Sequence, residues 1–382
     1  MDAYLSDNDI KLSDLAESCS RQTRPTDCPS ATAIEQNIPI YEGHIVRETL
    51  DDQAHTSQLQ SEWCLVLRDG PGILAIRNAF EDSTVIDRST TRFHEIVADE
   101  RKAGLGGGDH FGSNERIWNS LQKVCLRDPD LFIDYYGNPI LAMACLAWLG
   151  PAYQVTAQMN TVKPGSPAQK VHRDYHLGFQ KPGTIAQYPA HAQSMSQYLT
   201  LQGAIAHTDM PPESGPTLLL PYSHHFPAGY LATSQPEFRD YFDKNASQLP
   251  LSKGDTIFFS PAVFHGAGHN RSSSDRVANL LQISSAFGRT METRDTTAMS
   301  KAIYPTLRHR VENGSLGDTE LEAVLAASTD GYAFPTNLDA DPPIEGNAPE
   351  NAQMLLRRAF LEGWTAEKFQ EVIEAYEVNR KC

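Results

Sequence analysis

The chain has 382 residues and a formal net charge of −16, a balance that argues against a nucleic-acid partner, because binding a phosphate backbone takes clustered Lys and Arg to displace its counterions. Hydrophobic residues make up 40% and charged residues 21%, which excludes wholesale disorder and fibrous repeats. The longest apolar run, residues 140–149, is shorter than the roughly 18–20 residues a bilayer crossing takes, so no membrane partner is expected.

Residues 1–58 are polar, with a tract rich in Ser, Thr and Pro at 23–33, and predict an extended or partly ordered N-terminal arm. The beginning is acidic and polar where a secretory leader is basic and then apolar, and six cysteines form no CxxC pair. Both features point to a reduced, cytoplasmic setting. The compact unit is expected over 59–310. Its first part, 88–149, is a helical flank with helix-forming stretches at 93–102 and 117–126. The glycine-dense residues 104–112 between them are a connector or a mobile lid. From 152 to 290 the pattern becomes short apolar or alternating runs broken by Pro and Gly, the signature of many short antiparallel strands in a sandwich or barrel. Residues 311–382 return to helix as a C-terminal extension packed on the same unit, with helices at 352–361 and 368–380 and Thr365 as an N-cap.

Two His-x-Asp triplets occur, His172-Arg-Asp174 and His207-Thr-Asp209. In an extended segment, positions i and i+2 share a face roughly 6.6 Å apart, so an imidazole and a carboxylate can converge on one metal ion. A third ligand is available in His265, which ends an apolar run. Two His and one carboxylate make the facial set of non-heme Fe(II) oxygenases and leave positions open for a 2-oxo acid and O2. Arg276, eleven residues on, can clamp the far carboxylate of such an acid bidentately. The triplet at His207 runs into Met-Pro-Pro and reads as structural. His224 and His225 are neighbours that point to opposite faces of a strand. Gly266 and Gly268 oppose the helix that a His265/His269 zinc pair would need.

The order Gln169-Lys-Val-His172-Arg-Asp174, Glu213-Ser-Gly-Pro-Thr217, Pro221-Tyr-Ser-His224, Gly254-Asp255, His265-Gly-Ala-Gly and Arg276 resembles the phytanoyl-CoA dioxygenase family of Fe(II)/2-oxoglutarate-dependent oxygenases. The resemblance implies a mainly β fold with flanking helices, a double-stranded β-helix or jelly-roll, cupin-like barrel. It implies His172, Asp174 and His265 as iron ligands, Arg276 as the 2-oxoglutarate clamp, and Gln169 and Thr217 as further contacts to that cosubstrate. Fe(II), 2-oxoglutarate and O2 are the expected cofactors. Tyr222 departs from the family's usual Gly, and no family motif is seen after about residue 310. An acyl-CoA substrate is not implied.

Tyr175, His176, Asn160 and Arg289 are candidates for the substrate pocket. The expected partner is a small polar metabolite, an amino acid or secondary metabolite, whose C–H bond is hydroxylated or diverted to desaturation or ring closure. Oligomeric state is left open. Two rival functions use the same residues: a cupin-like metal-dependent hydrolase or isomerase without 2-oxoglutarate, and a non-catalytic small-molecule-binding module.

Overall fold

A computed structural model describes residues 3–105, 114–344 and 346–381. Most of the glycine-dense stretch read as a connector or lid, 106–113, lies outside the described residues. Eleven strands occur among the described residues: β1 Ala33–Glu35, β2 Ile38–Glu42, β3 Ile73–Arg77, β4 Glu115–Ile117, β5 Gln154–Val162, β6 Thr200–Ala206, β7 Leu218–Leu220, β8 Ser247–Gln248, β9 Thr256–Phe259, β10 Phe264–Gly266 and β11 Arg276–Ser284. Eight of them form one sheet in the order β1-β2-β3-β9-β6-β11-β5-β4, and three form a second in the order β10-β7-β8. Every pairing is antiparallel except β2 with β3.

Both sheets contribute to one cavity, the larger through β5, β6, β9 and β11 and the smaller through His265 of β10, consistent with a jelly roll. The expected barrel is not closed: the strands of the smaller sheet are two or three residues long and its edges do not join the ladder of the larger one. The longest strands are buried on both faces and divide their side chains by parity. On β11, Arg276, Ala278, Leu280 and Gln282 face the cavity, while Val277, Leu281 and Ile283 enter the core beneath the helices.

That helical layer includes Gln53–Arg68, Ser83–Lys102, Pro129–Tyr136, Pro139–Leu149 and Thr296–Glu312. Trp63, Phe93, Phe132 and Tyr304, each 1% exposed or less, fill the space between the helices and the larger sheet. The helix expected at 93–102 starts ten residues earlier, where Asp82 accepts the Thr84 amide as an N-cap. The one expected at 117–126 is Ser120–Arg127, because Ile117 is spent in β4. The apolar run at 140–149 is a helix that opens on Pro139, is capped by Asn138 and stops at Gly150. Toward the C-terminus, Ala352–Leu361 and Ala366–Asn379 form helices, the latter capped by Thr365, and Phe360 and Phe369 stack on Tyr304.

The stretch expected to be an arm is part of the fold. β2 pairs in parallel with β3, and Ile38, Ile40 and Tyr41 are buried in the sheet. Polarity disguised this, because each strand there is only three to five residues long and its partner lies 35 residues away. Thr23 from the same region receives the hydroxyl of Tyr222 at 2.8 Å, and the Arg21 guanidinium lies 4.8 Å from that ring's centre. Tyr222 adopts φ +67°, a left-handed backbone that favours glycine and costs a side chain about 1–2 kcal/mol. The N-terminal segment holds the strained residue in place.

Ile38→Ala is expected to lower unfolding free energy by about 2–5 kcal/mol, the cost of truncating a fully buried aliphatic side chain. Chemical denaturation measures this, and a loose arm would give no change.

Candidate metal and cosubstrate site

His172 and Asp174 lie on an extended segment that pairs with β10. The His172 amide donates to the His265 carbonyl at 3.0 Å, the His265 amide donates back at 3.1 Å, and the Asp174 amide donates to Pro261 at 3.0 Å. Alternation then turns His172 and Asp174 to one side, opposite His265. The imidazole centres are 4.4 Å apart. Asp174 Oδ1 is 3.9 Å from His172 Nε2, and Oδ2 is 3.6 Å from His265 Nε2. One ligand atom from each of the three residues falls within 4.8 Å of the others.

Both rings have a fixed tautomer. His172 Nδ1 is 2.9 Å from the Lys170 carbonyl, and His265 Nδ1 is 2.9 Å from the Val263 carbonyl. A carbonyl oxygen only accepts, so each Nδ1 carries the proton and each Nε2 presents its lone pair toward Asp174. Burial alone would push the Asp174 carboxyl up. The two imidazoles and the Gln202 amide outweigh it and hold the group well below the usual carboxylate range. Desolvation, reinforced by His265, holds His172 below its ordinary value against the pull of Asp174. A neutral imidazole at His172 beside an ionised Asp174 is the pairing of protonation states that ligates a divalent ion.

Between the two residues, Arg173 points the other way. Its buried guanidinium donates to the Ser223 and Phe226 carbonyls at 2.6 and 2.8 Å and lies 5.2 Å from the ring centres of Tyr230 and Phe264. It approaches Gly229 so closely that a Cβ there would sit 1.9 Å from the guanidinium carbon. This anchor fixes the segment from behind.

The cavity in front of the triad has a volume of about 560 Å³, within the range of small-molecule sites. Arg276 lies in its wall, 5% exposed, and donates to the Ser214 carbonyl at 3.1 Å. Among the described residues it has no carboxylate partner, and burial lowers its pKa to about 10. Gln169, Thr217 and Asn160 also line the cavity, and Gln169 Oε1 accepts the Ala267 amide at 3.1 Å.

Three pocket candidates are misplaced. Tyr175 is buried away from the cavity, its hydroxyl 3.0 Å from Ser284 Oγ and 2.6 Å from the Met291 amide. His176 opens a 3-10 turn, His176–Phe179, that breaks the strand alternation, and its ring bridges Ser196 and the Arg289 carbonyl. Arg289 follows the end of β11 at Ser284 and faces solvent. His207 is structural: it bonds Thr90 and Tyr135 at 2.8 and 2.7 Å, and complete burial pushes its pKa down to about 3. His224 is likewise buried, against the Arg68 carbonyl.

The sequence reading passed over Gln202 and Gln282. They are direct partners across β6 and β11. Gln202 Nε2 donates to Asp174 Oδ2 at 2.6 Å and to Gln282 Oε1 at 3.0 Å. Their signal was an amide recurring inside otherwise apolar strands.

The sequence profile of phytanoyl-CoA dioxygenase matches residues 61–278. The chain belongs to this family. Among curated relatives, the multifunctional dioxygenase prhA of Penicillium brasilianum is 31% identical over 123 residues, 30% of this chain and 35% of that protein. Dioxygenase trt7 of Aspergillus terreus is 30% identical over 117 residues, 30% of this chain and 34% of that protein. The matched segments thus span about a third of these relatives. Among solved structures, HygX from Streptomyces hygroscopicus with nickel and 2-oxoglutarate bound has a TM-score of 0.44 at 14% identity, covering 61% of this chain and 90% of that one. The alpha ketoglutarate dependent carbocyclase SnoK from nogalamycin biosynthesis has a TM-score of 0.42 at 20% identity, covering 60% and 86%.

Gly229→Ala is expected to displace Arg173 and loosen the segment carrying two of the triad residues. Titration with Ni(II) as a redox-inert probe should show an affinity about 10–100-fold weaker, the range for lost outer support of a metal site; Ser at 229 should do the same.

Proposed function

We propose that the protein is a non-heme Fe(II)/2-oxoglutarate-dependent dioxygenase acting on a small-molecule metabolite. The observation that carries the reading is the pairing of two features in one cavity: a His172–Asp174–His265 face with both Nε2 lone pairs directed inward, and a buried Arg276 without an acid partner among the described residues. The donor set fits Fe(II). The Arg276 guanidinium, which lacks a carboxylate partner among the described residues, fits the distal carboxylate of 2-oxoglutarate. Membership in the dioxygenase family supports the same assignment.

Fe(II) held by the triad, with 2-oxoglutarate and O2, supplies oxidation of an unactivated C–H bond as the oxo acid leaves as succinate and CO2. The chain's own residues do the positioning. Arg276 fixes one end of the cosubstrate, with Thr217 and Gln169 beside it. Lys170 and Val263 carbonyls hold the imidazoles in orientation. Gln202 restrains Asp174 Oδ2, which limits rotation of the carboxylate. Apolar residues such as Leu249, Leu251, Ile257 and Phe259 strip water from the pocket, which strengthens every polar contact inside and protects a reactive oxidant from quenching. Asn160, on the same wall, belongs to the ligand-binding surface. Hydroxylation is the default outcome, and the fungal relatives' designation as multifunctional dioxygenases supports a site able to run desaturation or ring closure as well.

A hydrolase or isomerase with the same metal ligands has no use for an anion clamp at Arg276. Anaerobic addition of Fe(II) and 2-oxoglutarate is therefore expected to give a visible charge-transfer band, absent for that rival. Asp174→Ala should abolish the band and succinate formation. Arg276→Leu should keep metal binding but cost 2-oxoglutarate about 2–5 kcal/mol of affinity, the scale for losing one member of a buried charge pair. Retention of normal 2-oxoglutarate affinity in Arg276→Leu would refute the clamp.

A further inference from the structure

The cavity surface beyond the triad has a polarity fixed by the metal carboxylate itself. Gln202 presents its NH2 group to the Asp174 carboxylate, Nε2 donating to Oδ2 at 2.6 Å. The same nitrogen is 3.0 Å from Gln282, so Gln282 must present its oxygen to Gln202. The two amides are thereby locked in one orientation, and the Gln282 NH2 group is left facing the cavity. Gln282 is 5% exposed, lines the cavity, and its Nε2 has no protein acceptor among the described residues. A bound oxygen atom would give this open donor its acceptor.

Position separates this group from the cosubstrate. Gln282 is six residues along β11 from Arg276, roughly 20 Å at the rise of an extended strand, but only two hydrogen bonds from the metal carboxylate. A molecule held there has its nearest carbons beside the triad. Asp174 is the one carboxylate among the described residues lining the cavity, and the metal site consumes it. Two acceptor atoms of the lining residues, Asn160 Oδ1 and Gln202 Oε1, are unpartnered but fully buried, out of reach of an ammonium group in the cavity.

The geometry points to Gln282 as a specificity-determining residue that donates to a carbonyl or other oxygen acceptor of the primary substrate, so that oxygenated metabolites are taken and amine-bearing ones, free amino acids included, are refused. This rests on the dioxygenase reading above and narrows its substrate class. Gln202 is the positioning residue that sets the polarity.

The test uses two probes with one skeleton, 2-adamantanone, which only accepts, and 2-adamantylamine, which is protonated and only donates. Each is titrated calorimetrically into the full chain loaded with Ni(II) and 2-oxoglutarate. The wild type should bind the ketone at least about tenfold more tightly, the scale of one hydrogen bond gained against a donor–donor clash. Gln282→Glu keeps an oxygen for Gln202 but turns the cavity-facing atom into an acceptor, and should lower or reverse that ratio about tenfold; a merely structural role for Gln282 would shift both probes together. Gln282→Met, which offers no donor and keeps the bulk, should weaken the ketone alone. Equal binding of the two probes by the wild type, or an unchanged ratio in Gln282→Glu, overturns the inference. Absence of the Fe(II)–2-oxoglutarate band sinks the dioxygenase reading instead, so the two failures are distinguishable.

Discussion

The site depends on one pair of backbone hydrogen bonds, those joining His172 and His265 across a short antiparallel bridge. They bring two imidazoles separated by 93 positions in sequence into facing register, and the i+2 geometry of an extended chain adds Asp174. Carbonyls two residues before each histidine, at Lys170 and Val263, complete the device. Backbone thus sets ligand spacing and tautomer together, without recruiting further side chains for the task.

The second constraint is that the long strands are sandwiched. β5, β6 and β11 must satisfy a helical layer on one face and a cavity on the other, so they carry apolar residues on both sides with a few polar ones reserved for the cavity. Polar groups placed there are expensive to bury unless partnered. The Gln202 and Gln282 amides meet part of that requirement by bonding Asp174 and each other, whereas Gln202 Oε1 and Asn160 Oδ1 have no partner and Arg276 and the outer nitrogen of Gln282 are left with capacity for a ligand. A cavity wall with unmet donors carries information about what it binds.

Much of the site was legible in the sequence because its geometry is local. A His-x-Asp in an extended segment, a His closing an apolar run and an Arg opening the next strand each follow from strand periodicity. What was hidden was non-local. β2 could not be recognised from five residues whose parallel partner is β3. Gln202 and Gln282 look like interruptions of apolar strands until the register places them side by side. Tyr175 and His176 lie outside the cavity because a 3-10 turn breaks the extended chain just after Asp174, and Arg289 because β11 ends five residues earlier, at Ser284. Tyr222, where family loops usually have Gly, tolerates a left-handed backbone because Thr23 and Arg21 brace it, a compensation no local pattern reveals.

X-ray absorption at the iron edge of the Fe(II)-loaded protein tests the central claim most directly. The account predicts two imidazole nitrogens and one carboxylate among the ligands, with solvent in the remaining positions, and replacement of part of that solvent when 2-oxoglutarate is added. A thiolate, a third imidazole, or a ligand set indifferent to 2-oxoglutarate would contradict it.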